Sequence, residues 1–312
     1  MKDKITIILA SYNGERYLSE QIDSLISQTY ENWELLIRDD CSRDRSAAIL
    51  SNYCSLDLRI KILNNEGLNL GAAQNFSCLL ENVVIKSTYI MFCDQDDIWL
   101  PDKLEKTLAE MKRLEANSGN NVPVMIYGTY KMINENGHDL DLNVPDYSTV
   151  PALKLLLSQN YIYGCTMMIN RSLAAASCPI PHTAENHDYW ISLIAVLSNA
   201  RVGYINKPLL LYRQHSNNVS GSYKNASTLS RIKRIFNNAE SRSIAIRYKM
   251  FQSLAQRGQA LKIENGLLNG YIVEVSKGGI NAFIYCIKNG IRRTGGLQTI
   301  LFYFNLLRTN RS

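Results

Sequence analysis

The N-terminal part of the chain alternates short apolar segments with amphipathic ones. Short continuous apolar runs are typical of strands buried in a parallel sheet. Four such runs are present, at residues 4–13, 33–40, 58–67 and 87–97. Between them, apolar residues recur at helical spacing, as after the first run at Tyr17, Leu18, Ile22, Leu25 and Ile26. Strands that alternate with helices in this way predict an α/β fold with a mostly parallel, Rossmann-like sheet flanked by helices.

The pattern beyond Pro101 predicts further mixed structure and then a helical region. Pro101 suits the first turn of a helix that runs to about residue 116. We then predict a strand, a tight turn, a strand followed by a helix, an apolar helix after a loop, and a pair of strands, at residues 122–133, 134–139, 163–175, 185–197 and 202–221. After about residue 228 the pattern becomes helical and basic. The sequence therefore predicts an α/β domain over residues 1–224 and a helical, basic C-terminal region over residues 225–312.

The composition is that of an ordinary soluble globular protein, with 46% hydrophobic and 20% charged residues. No apolar run approaches the roughly 18–20 uncharged residues that a membrane-spanning helix needs. The first apolar run lacks a small-residue cleavage pattern, so it predicts a strand beginning at Ile5 rather than a signal peptide. We therefore expect a cytoplasmic protein. The seven cysteines are odd in number and widely spaced, which argues against a disulfide framework or a zinc knuckle.

The charge is unevenly distributed along the chain. From Asn225 onward there are fourteen lysines and arginines against three acidic residues, a net charge of +11 in a chain of net charge +6. Such asymmetry indicates a C-terminal region that meets an anionic surface, either a nucleic acid or an anionic membrane. A packed helical appendage with basic solvent-exposed faces, or a homo-oligomer contact, is the alternative interpretation.

Polar or acidic clusters follow each of the four N-terminal strands. They read SYNG, RDDCSRD, NNEGLNLG and DQDD. Because parallel strands end at the same edge of a sheet, and ligands bind at that edge, the clusters predict a functional site. Independent solvated loops are the alternative, since loops are polar as well. Acidic residues at successive strand ends favour a site.

The cluster DQDD places Asp94, Asp96 and Asp97 where a buried strand ends. Their mutual repulsion must be relieved by a raised pKa or by a bound cation. Carboxylate oxygens are hard ligands that select Mg²⁺ or Mn²⁺, and Mg²⁺ fills its remaining positions with phosphate oxygens. A capping role at the following helix, for Asp97 or Asp102, would explain one aspartate but not three. The motif therefore predicts a site for a metal ion and a diphosphate.

Other phosphate-binding loops are missing from the sequence. No G-x-G-x-x-G follows the first strand, which argues against a nicotinamide or flavin cofactor, and no P-loop motif is present. A nucleotidyltransferase is a second class of enzyme that uses a metal, paired aspartates and an α/β sheet. Such an enzyme would normally have a glycine-rich basic loop near the first strand, and ASYNGERY matches such a loop poorly. A nucleic-acid-binding protein is a third class, and acidic strand ends would repel phosphate.

Two histidines lie in polar segments of the second half. His187 and Asp188 begin the apolar helix near Trp190, where Asp188 could be a general base or a helix cap, and the segment could stack against a sugar. His215 lies beside Arg213 in the loop that follows the last strand. Either a ligand contact or simple exposure explains this histidine.

Together these motifs resemble the family 2 glycosyltransferases, which have the GT-A fold. The resemblance covers roughly residues 4–220. It depends on segments that occur in the family's order: ILASYNGERYLSEQIDSLISQTY, WELLIRDDCSRD, NLGAAQNF, FCDQDD, GCTMMINR and HDYW. The resemblance implies a GT-A domain that binds a nucleotide-diphosphate sugar and Mg²⁺ or Mn²⁺.

The resemblance also implies roles for individual residues of the donor site. Asp96 would bind the metal, with help from His215. Asp94 would lie near the ribose, with Asp97 supporting it, and Asp39 would contact the nucleobase. The other residues implied to bind the donor nucleotide are Ala10, Ser11 and Tyr12 of the pyrimidine-contacting loop, and Asn69, Gly71, Asn75 and Gln95.

The family's catalytic base is an aspartate in an acidic pair at a helix start. Asp188 inherits this role, although His187 stands where the family has glutamate. His187, Trp190 and Arg213 would support the site. The implied reaction inverts the anomeric centre: Asp188 takes a proton from an acceptor hydroxyl, while the metal neutralises charge on the leaving diphosphate.

The combination of DQDD, HDYW and YRQHSNNVSG is similar to bacterial rhamnosyltransferases that build O-antigen and other surface polysaccharides. This similarity implies dTDP-L-rhamnose as the donor and a lipid-linked saccharide as the acceptor. The alternative is another sugar, such as glucose, galactose or an N-acetylhexosamine, from a UDP donor. Residues 283–311 mix apolar residues with cations, as interfacial helices do. A lipid-linked acceptor would also bring the enzyme to a membrane, so both points favour an anionic membrane over nucleic acid as the partner of the basic tail. We then expect a peripheral enzyme on the inner face of the plasma membrane.

Overall fold

The computed structural model describes residues 3–116, 121–142, 144, 148, 152–216 and 239–308. Within these residues the strands, β1 to β8, are Ile5–Ser11, Trp33–Asp39, Ile60–Ile62, Tyr89–Cys93, Ile98–Trp99, Val124–Ile133, Met168–Asn170 and Arg201–Arg213. The helices, α1 to α11, are Leu18–Ile26, Ser46–Leu56, Ala72–Val83, Lys103–Ala116, Leu153–Leu156, Arg171–Ser177, His187–Leu197, Ala239–Ala260, Gly266–Ser276, Gly279–Asn289 and Gly296–Leu307.

The described residues form two compact units. The first lies within Met1–Val150, Ile162–Ile180 and Asn199–Ser222, and the second within Pro151–Tyr161, Pro181–Ser198 and Tyr223–Ser312. The predicted boundary between residues 224 and 225 lies outside the described residues. The second unit also takes in α5 and α7, which the sequence analysis assigned to the N-terminal domain.

All the strands of the first unit belong to one mixed sheet, in the order β3-β2-β1-β4-β7-β6-β8-β5. The pairs β1–β2, β1–β4, β2–β3 and β6–β8 are parallel, whereas β4–β7, β6–β7 and β5–β8 are antiparallel. The predicted α/β fold with a mostly parallel sheet is therefore confirmed. One parallel part holds the four N-terminal strands, with β1 between β2 and β4, and β6 and β8 form a second.

Burial explains why the N-terminal strands read as continuous apolar runs. Ile5, Ile7 and Leu9 of β1 are fully buried, as is every residue from Ile90 to Cys93 of β4. Helix α1 buries Leu18, Ile22 and Leu25 in the same core. Strands covered on both faces need apolar side chains at successive positions, not only at alternate ones.

Two predicted elements differ from the structure. The predicted pair of strands over residues 202–221 is wrong, because Arg201–Arg213 is one strand. Its pairing with β6 shifts register between Gly128 and Thr129, where Asn206 and Lys207 are accommodated as an irregularity before Pro208. Helix α4 begins at Lys103 rather than at Pro101, whose carbonyl instead accepts a hydrogen bond from the amide of Thr29 at 2.9 Å.

The second unit is helical, as predicted for the C-terminal region. Helix α8 buries Met250, Phe251 and Leu254. The Phe251 ring meets the edges or faces of Tyr189 on α7 and Tyr271 on α9, with ring centroids 6.4 and 5.6 Å apart. Ten of the eleven residues of α7 are buried, so this helix is covered on all sides. Among the described helices, none has the length and apolar character needed to cross a bilayer.

Candidate active site

The carboxyl ends of β1, β2 and β4 bring three of the predicted polar or acidic clusters to one edge of the sheet. Ser11 pairs with Asp39 across β1 and β2, and Leu9 pairs with Cys93, the residue before Asp94. The predicted convergence of these strand ends is therefore present in the first unit.

Gln95 holds the loop that follows β1. Its side-chain oxygen accepts hydrogen bonds from the Tyr12 amide at 2.8 Å and from the Ser11 hydroxyl at 3.2 Å. Its nitrogen donates to the Tyr12 carbonyl at 3.0 Å. A Cβ atom at Gly14 would collide with the Gln95 amide, so glycine allows this close approach. Gln95, predicted to bind the donor, thus fixes the backbone of Tyr12, whose side chain is 45% exposed.

The two neighbouring aspartates of the RDDCSRD cluster make different contacts. Asp39 accepts hydrogen bonds from the amide and hydroxyl of Ser42, at 2.9 and 2.5 Å. Asp40, which the sequence analysis did not single out, forms a buried ion pair with Arg38 at 2.6 Å. Asp40 also accepts hydrogen bonds from the amides of Leu70 and Gly71, both at 2.8 Å.

The predicted residues of NLGAAQNF form the scaffold around this ion pair. Asn69 donates to the Asp40 carbonyl at 2.7 Å. The Asn75 oxygen accepts from Arg38 at 3.1 Å, and its nitrogen donates to the Arg38 carbonyl at 3.1 Å. Gly71 precedes α3 with a φ of +76°, a left-handed conformation that favours glycine. These residues fix the loop next to Asp39.

The three aspartates of DQDD occupy different environments. Asp94 and Asp96 are partly exposed, whereas Asp97 is fully buried. One Asp97 oxygen accepts a hydrogen bond from the Arg213 amide at 3.1 Å, and Oδ2 receives none from the described residues. Burial raises the pKa of Asp97 well above its usual value, and the charges of Asp96 and Asp94 raise it further. The predicted repulsion is therefore present in the folded protein.

A buried cation lies near the aspartates. The Lys103 ammonium group donates to the Cys165 carbonyl at 2.5 Å and lies 3.2 Å from the centre of the Trp99 ring. Burial lowers the pKa of Lys103 to about 8, although the carboxylates of Asp97 and Asp94 act in the opposite direction. Sequence reasoning missed Lys103, because a lysine in an amphipathic helix is normally solvent-exposed.

The residues around DQDD fit a divalent cation. The oxygens of Asp94 and Asp97 and the Cys165 sulfur lie within 4.8 Å of one another, and Asp97 Oδ2 is a buried oxygen without a hydrogen-bond donor among the described residues. Burial raises the pKa of the Cys165 thiol well above its usual value, so this sulfur is a poor ligand for a hard cation. On the more exposed side, Asp96 Oδ2 lies 2.7 Å from His215 Nε2. The oxygen donors suit Mg²⁺ or Mn²⁺.

Arg213 connects this motif to α1. Its Nε donates to the Asp96 carbonyl at 2.9 Å, and its guanidinium group forms an ion pair with Glu20. The guanidinium carbon lies 4.6 Å from the centre of the Tyr17 ring, which also contacts the His215 ring with a centroid distance of 5.1 Å. Sequence reasoning missed Tyr17 and Glu20 as site residues, because their positions fit an ordinary amphipathic helix.

The second unit contains the predicted catalytic Asp188. Its Oδ1 accepts hydrogen bonds from Asn160 at 3.0 Å and from the Tyr189 amide at 2.6 Å. Burial lowers the pKa of His187 to about 3, so this histidine is neutral at physiological pH. Trp190 is 1% exposed, so the structure does not support the interpretation that its ring stacks against a sugar.

An ion pair missed by sequence reasoning holds the loop before α7. Arg247 of α8 donates to Glu185 at 2.7 Å and to the Ser158 carbonyl at 2.9 Å. Arg247 sits in a basic helix, where its sequence neighbours gave no sign of a buried partner. Asn160 and Glu185 both belong to the second unit, like Asp188.

Several bacterial proteins are similar to this chain in sequence. A UDP-Glc:alpha-D-GlcNAc-diphosphoundecaprenol beta-1,3-glucosyltransferase, WfgD of Escherichia coli, is 36% identical over 61% of this chain and 69% of its own. A putative teichuronic acid biosynthesis glycosyltransferase, TuaG of Bacillus subtilis, is 32% identical over 71% of this chain and 83% of its own. The dTDP-rhamnosyl transferase RfbG of Shigella flexneri is 28% identical, over 73% and 78% of the two chains.

Solved structures have the same fold. Residues 1–349 of S. aureus TarS, in complex with UDP-GlcNAc, align with a TM-score of 0.61 and 16% identity, over 97% of this chain and 79% of that one. This chain spans 43% of a longer TarS chain. These similarities confirm the expected GT-A fold. The description Glycosyl transferase family 2 applies to the family whose sequence model matches residues 6–176. This match covers more than half of the chain, and the chain therefore belongs to glycosyl transferase family 2.

Proposed function

We propose that the protein transfers a hexose from a pyrimidine nucleoside-diphosphate sugar to a lipid-linked saccharide during the synthesis of a surface polysaccharide. The DQDD motif carries this proposal, because its three carboxylates stand at the sheet edge together with Asp39 and the loop held by Gln95. A diphosphate can bind next to carboxylates only if a cation neutralises their repulsion, and a nucleoside is recognised by hydrogen-bonding groups at the same sheet edge.

The metal would be Mg²⁺ or Mn²⁺, held by Asp96 and His215, with Asp94 and Asp97 completing the acidic surroundings. When bound, this ion supplies a Lewis acid that neutralises charge on the leaving diphosphate. Arg213 orients the motif by its hydrogen bond to the Asp96 carbonyl. Asp39 and the loop of Ala10, Ser11 and Tyr12 would bind the base.

Asp188 is the proposed general base of an inverting reaction. Its carboxylate takes the proton of the acceptor hydroxyl as the hydroxyl oxygen attacks C1 of the sugar, and the bond from C1 to the diphosphate oxygen breaks. The hydrogen bonds from Asn160 and from the Tyr189 amide orient the carboxylate. General-base help is typically worth about 10²–10⁴-fold in rate.

Two donors compete within this proposal. The motifs DQDD, HDYW and YRQHSNNVSG favour dTDP-L-rhamnose, and one relative, RfbG, is named as a dTDP-rhamnosyl transferase. The higher identity to WfgD favours UDP-glucose. The name of WfgD also gives a diphosphoundecaprenol acceptor, which supports a lipid-linked acceptor here and an enzyme that works at the inner face of the plasma membrane.

A donor hydrolysis screen tests the proposal. Purified protein is incubated with UDP-glucose, UDP-galactose, UDP-N-acetylglucosamine, UDP-N-acetylgalactosamine and dTDP-L-rhamnose, each with Mn²⁺, with Mg²⁺ or with EDTA. We expect metal-dependent release of UDP or dTDP from one of these donors and none with EDTA, and Asp96→Ala should remove the activity. Hydrolysis that is equal with and without metal would contradict the metal assignment. Release of nucleotide from none of these donors would contradict the pyrimidine assignment.

A further inference from the structure

Two helices at the C-terminal end of the second unit, α10 and α11, pack side by side in opposite directions. Gly279 at the start of α10 lies against the carbonyl of Leu306 near the end of α11, where a Cβ atom would not fit. One helical turn further, the rings of Phe283 and Tyr303 meet edge to face with centroids 5.7 Å apart. The early part of α10 therefore lies beside the late part of α11.

Each of these helices exposes a line of large apolar side chains. Ile280, Ile284 and Ile287 follow the helical spacing on α10 and are 66%, 44% and 51% exposed. Four residues do the same on α11, with exposures of 64%, 64%, 43% and 44%: Leu297, Ile300, Phe304 and Leu307. We call these seven residues the C-terminal apolar face.

The two lines lie on the same side of the helix pair. Ala282 and Cys286 of α10 and Phe302 and Leu306 of α11 are buried in the unit, on the other side of the contact between Phe283 and Tyr303. Because the exposed residues of each helix lie opposite its buried residues, both lines point away from the interior. They form one continuous surface rather than two separate ones.

Cations border this face, and acidic residues are missing from it. Residues 279–308 contain Lys288, Arg292, Arg293 and Arg308 but no aspartate or glutamate. Lys288, Arg292 and Arg308 are exposed. Lys288 directly follows Ile287, and Arg308 directly follows Leu307, so the positive charges stand at the margins of the apolar lines.

We propose that the C-terminal apolar face docks on an anionic lipid bilayer, with α10 and α11 lying in the interface. An apolar face bordered by lysine and arginine is typical of helices that insert their apolar side to the depth of the headgroups. A second copy of the chain fits this face less well, because a symmetric contact would bring the same cations together without acidic partners. The inference extends the lipid-linked acceptor proposed above, but binding to vesicles requires neither donor nor transfer.

Co-sedimentation of the full chain with vesicles tests the apolar part of the proposal. Vesicles of phosphatidylcholine with phosphatidylglycerol are compared with vesicles of phosphatidylcholine alone. We expect the parent protein to bind the anionic vesicles. The double variant Ile284→Asn/Ile300→Asn should have a partition coefficient at least tenfold lower, since transfer of each isoleucine side chain from water into the membrane is strongly favourable. The matched control is Leu58→Asn/Ile85→Asn, at positions 91% and 82% exposed in the first unit, which should bind like the parent protein.

A second pair of variants tests the charges. Each lysine or arginine near an anionic surface favours binding by a small increment, so Lys288→Gln/Arg292→Gln should weaken partitioning by about thirtyfold. The control Arg201→Gln/Lys207→Gln removes two exposed cations from β8 and should have little effect. A higher salt concentration should weaken vesicle binding by the parent protein more than binding by the Lys288→Gln/Arg292→Gln variant.

Three results would overturn the proposal. The first is that the parent protein fails to bind anionic vesicles. The second is that Ile284→Asn/Ile300→Asn binds them as well as the parent does. Alternatively, light scattering would show an oligomer that Ile284→Asn/Ile300→Asn converts to monomers with vesicle binding unchanged, which would assign the face to a second copy. Donor hydrolysis without vesicles is measured in parallel. Vesicle binding without any hydrolysis would contradict the proposed function and leave the docking surface standing.

Discussion

His215 Nε2 lies 2.7 Å from Asp96 Oδ2, although the two residues are 119 positions apart in the chain. Asp96 follows β4, and His215 follows β8, so two distant strands of the sheet deliver these side chains to one place. Tyr17 packs on the His215 ring, and Arg213 binds the Asp96 carbonyl. Surrounding contacts thus hold the carboxylate of Asp96 and the imidazole of His215 together.

Replacement of His215 should weaken metal binding. We expect His215→Ala to raise the dissociation constant for Mn²⁺ by about 10–100-fold, because loss of a nitrogen donor or of a partner that orients a ligand has effects of this size. Calorimetric titration of Mn²⁺ in the presence of UDP measures the change. His138→Ala, at an exposed histidine of the same unit, is the control and should bind normally. Unchanged Mn²⁺ affinity in His215→Ala would remove His215 from the metal site.

Gln95 should act on donor binding through the Tyr12 loop. Gln95→Leu removes two hydrogen bonds to the Tyr12 backbone, and the loss of two such bonds corresponds to about a tenfold rise in KM for the donor. Gly14→Ala should have a similar effect, because its methyl group displaces the same amide. Steady-state hydrolysis of the donor measures KM and kcat. A fall in kcat with KM unchanged would contradict this role.

Asp188→Asn should lower kcat for transfer by about 10²–10⁴-fold, since an amide cannot accept the acceptor proton. The asparagine oxygen can still accept from Asn160 and from the Tyr189 amide, so the fold and the KM for the donor should change little. Transfer to a saccharide acceptor is measured together with the melting temperature of the variant. Transfer at the parent rate would show that another group is the base.

His187 should make the protein less stable in acid. Burial lowers its folded pKa to about 3, against an unfolded value of about 6.5, so between these pH values only the unfolded state binds the proton. The free energy of unfolding should therefore fall by up to about 1.4 kcal/mol per pH unit as the pH decreases from 6 to 4.

Urea unfolding at several pH values measures this slope. His187→Leu, which cannot take up a proton, should show a shallower dependence on pH. His138→Gln changes an exposed histidine and should retain the parent slope. Equal slopes for His187→Leu and the parent protein would show that His187 can be protonated in the folded state.

The sequence predicted the parts of the fold that depend on local patterns. The strands β1, β2 and β4 could be predicted because burial on both faces favours apolar side chains at most successive positions, and the acidic clusters after β2 and β4 indicated the sheet edge. The single strand Arg201–Arg213 was missed, because Asn206, Lys207 and Pro208 resemble a turn in sequence while pairing with β6 absorbs them as an irregularity.

Tertiary contacts were beyond the reach of the sequence. Gln95 bonds to a residue 83 positions away, and the ion pair of Arg213 and Glu20 joins residues 193 positions apart. No local pattern encodes such distant partners. The resemblance implied that Gln95 binds the donor, and the bonds of its amide to the Tyr12 backbone are a contact that the sequence alone did not indicate.

The buried ion pair of Arg38 and Asp40 should contribute strongly to stability. Both side chains are about 2–3% exposed, and they lie 2.6 Å apart. Removal of one partner leaves an uncompensated charge in the interior, so we expect Asp40→Ala to lower the free energy of unfolding by about 3–5 kcal/mol. The loss should exceed that of Glu110→Ala, which breaks an exposed pair with Arg113 on α4. Urea unfolding measures both variants.

In the double variant Arg38→Met/Asp40→Leu, stability should recover in part, because an apolar pair leaves no buried charge. A double variant less stable than Asp40→Ala would show instead that the other bonds of Arg38, to Asn75 and to the carbonyls of Asn65 and Leu68, account for the effect.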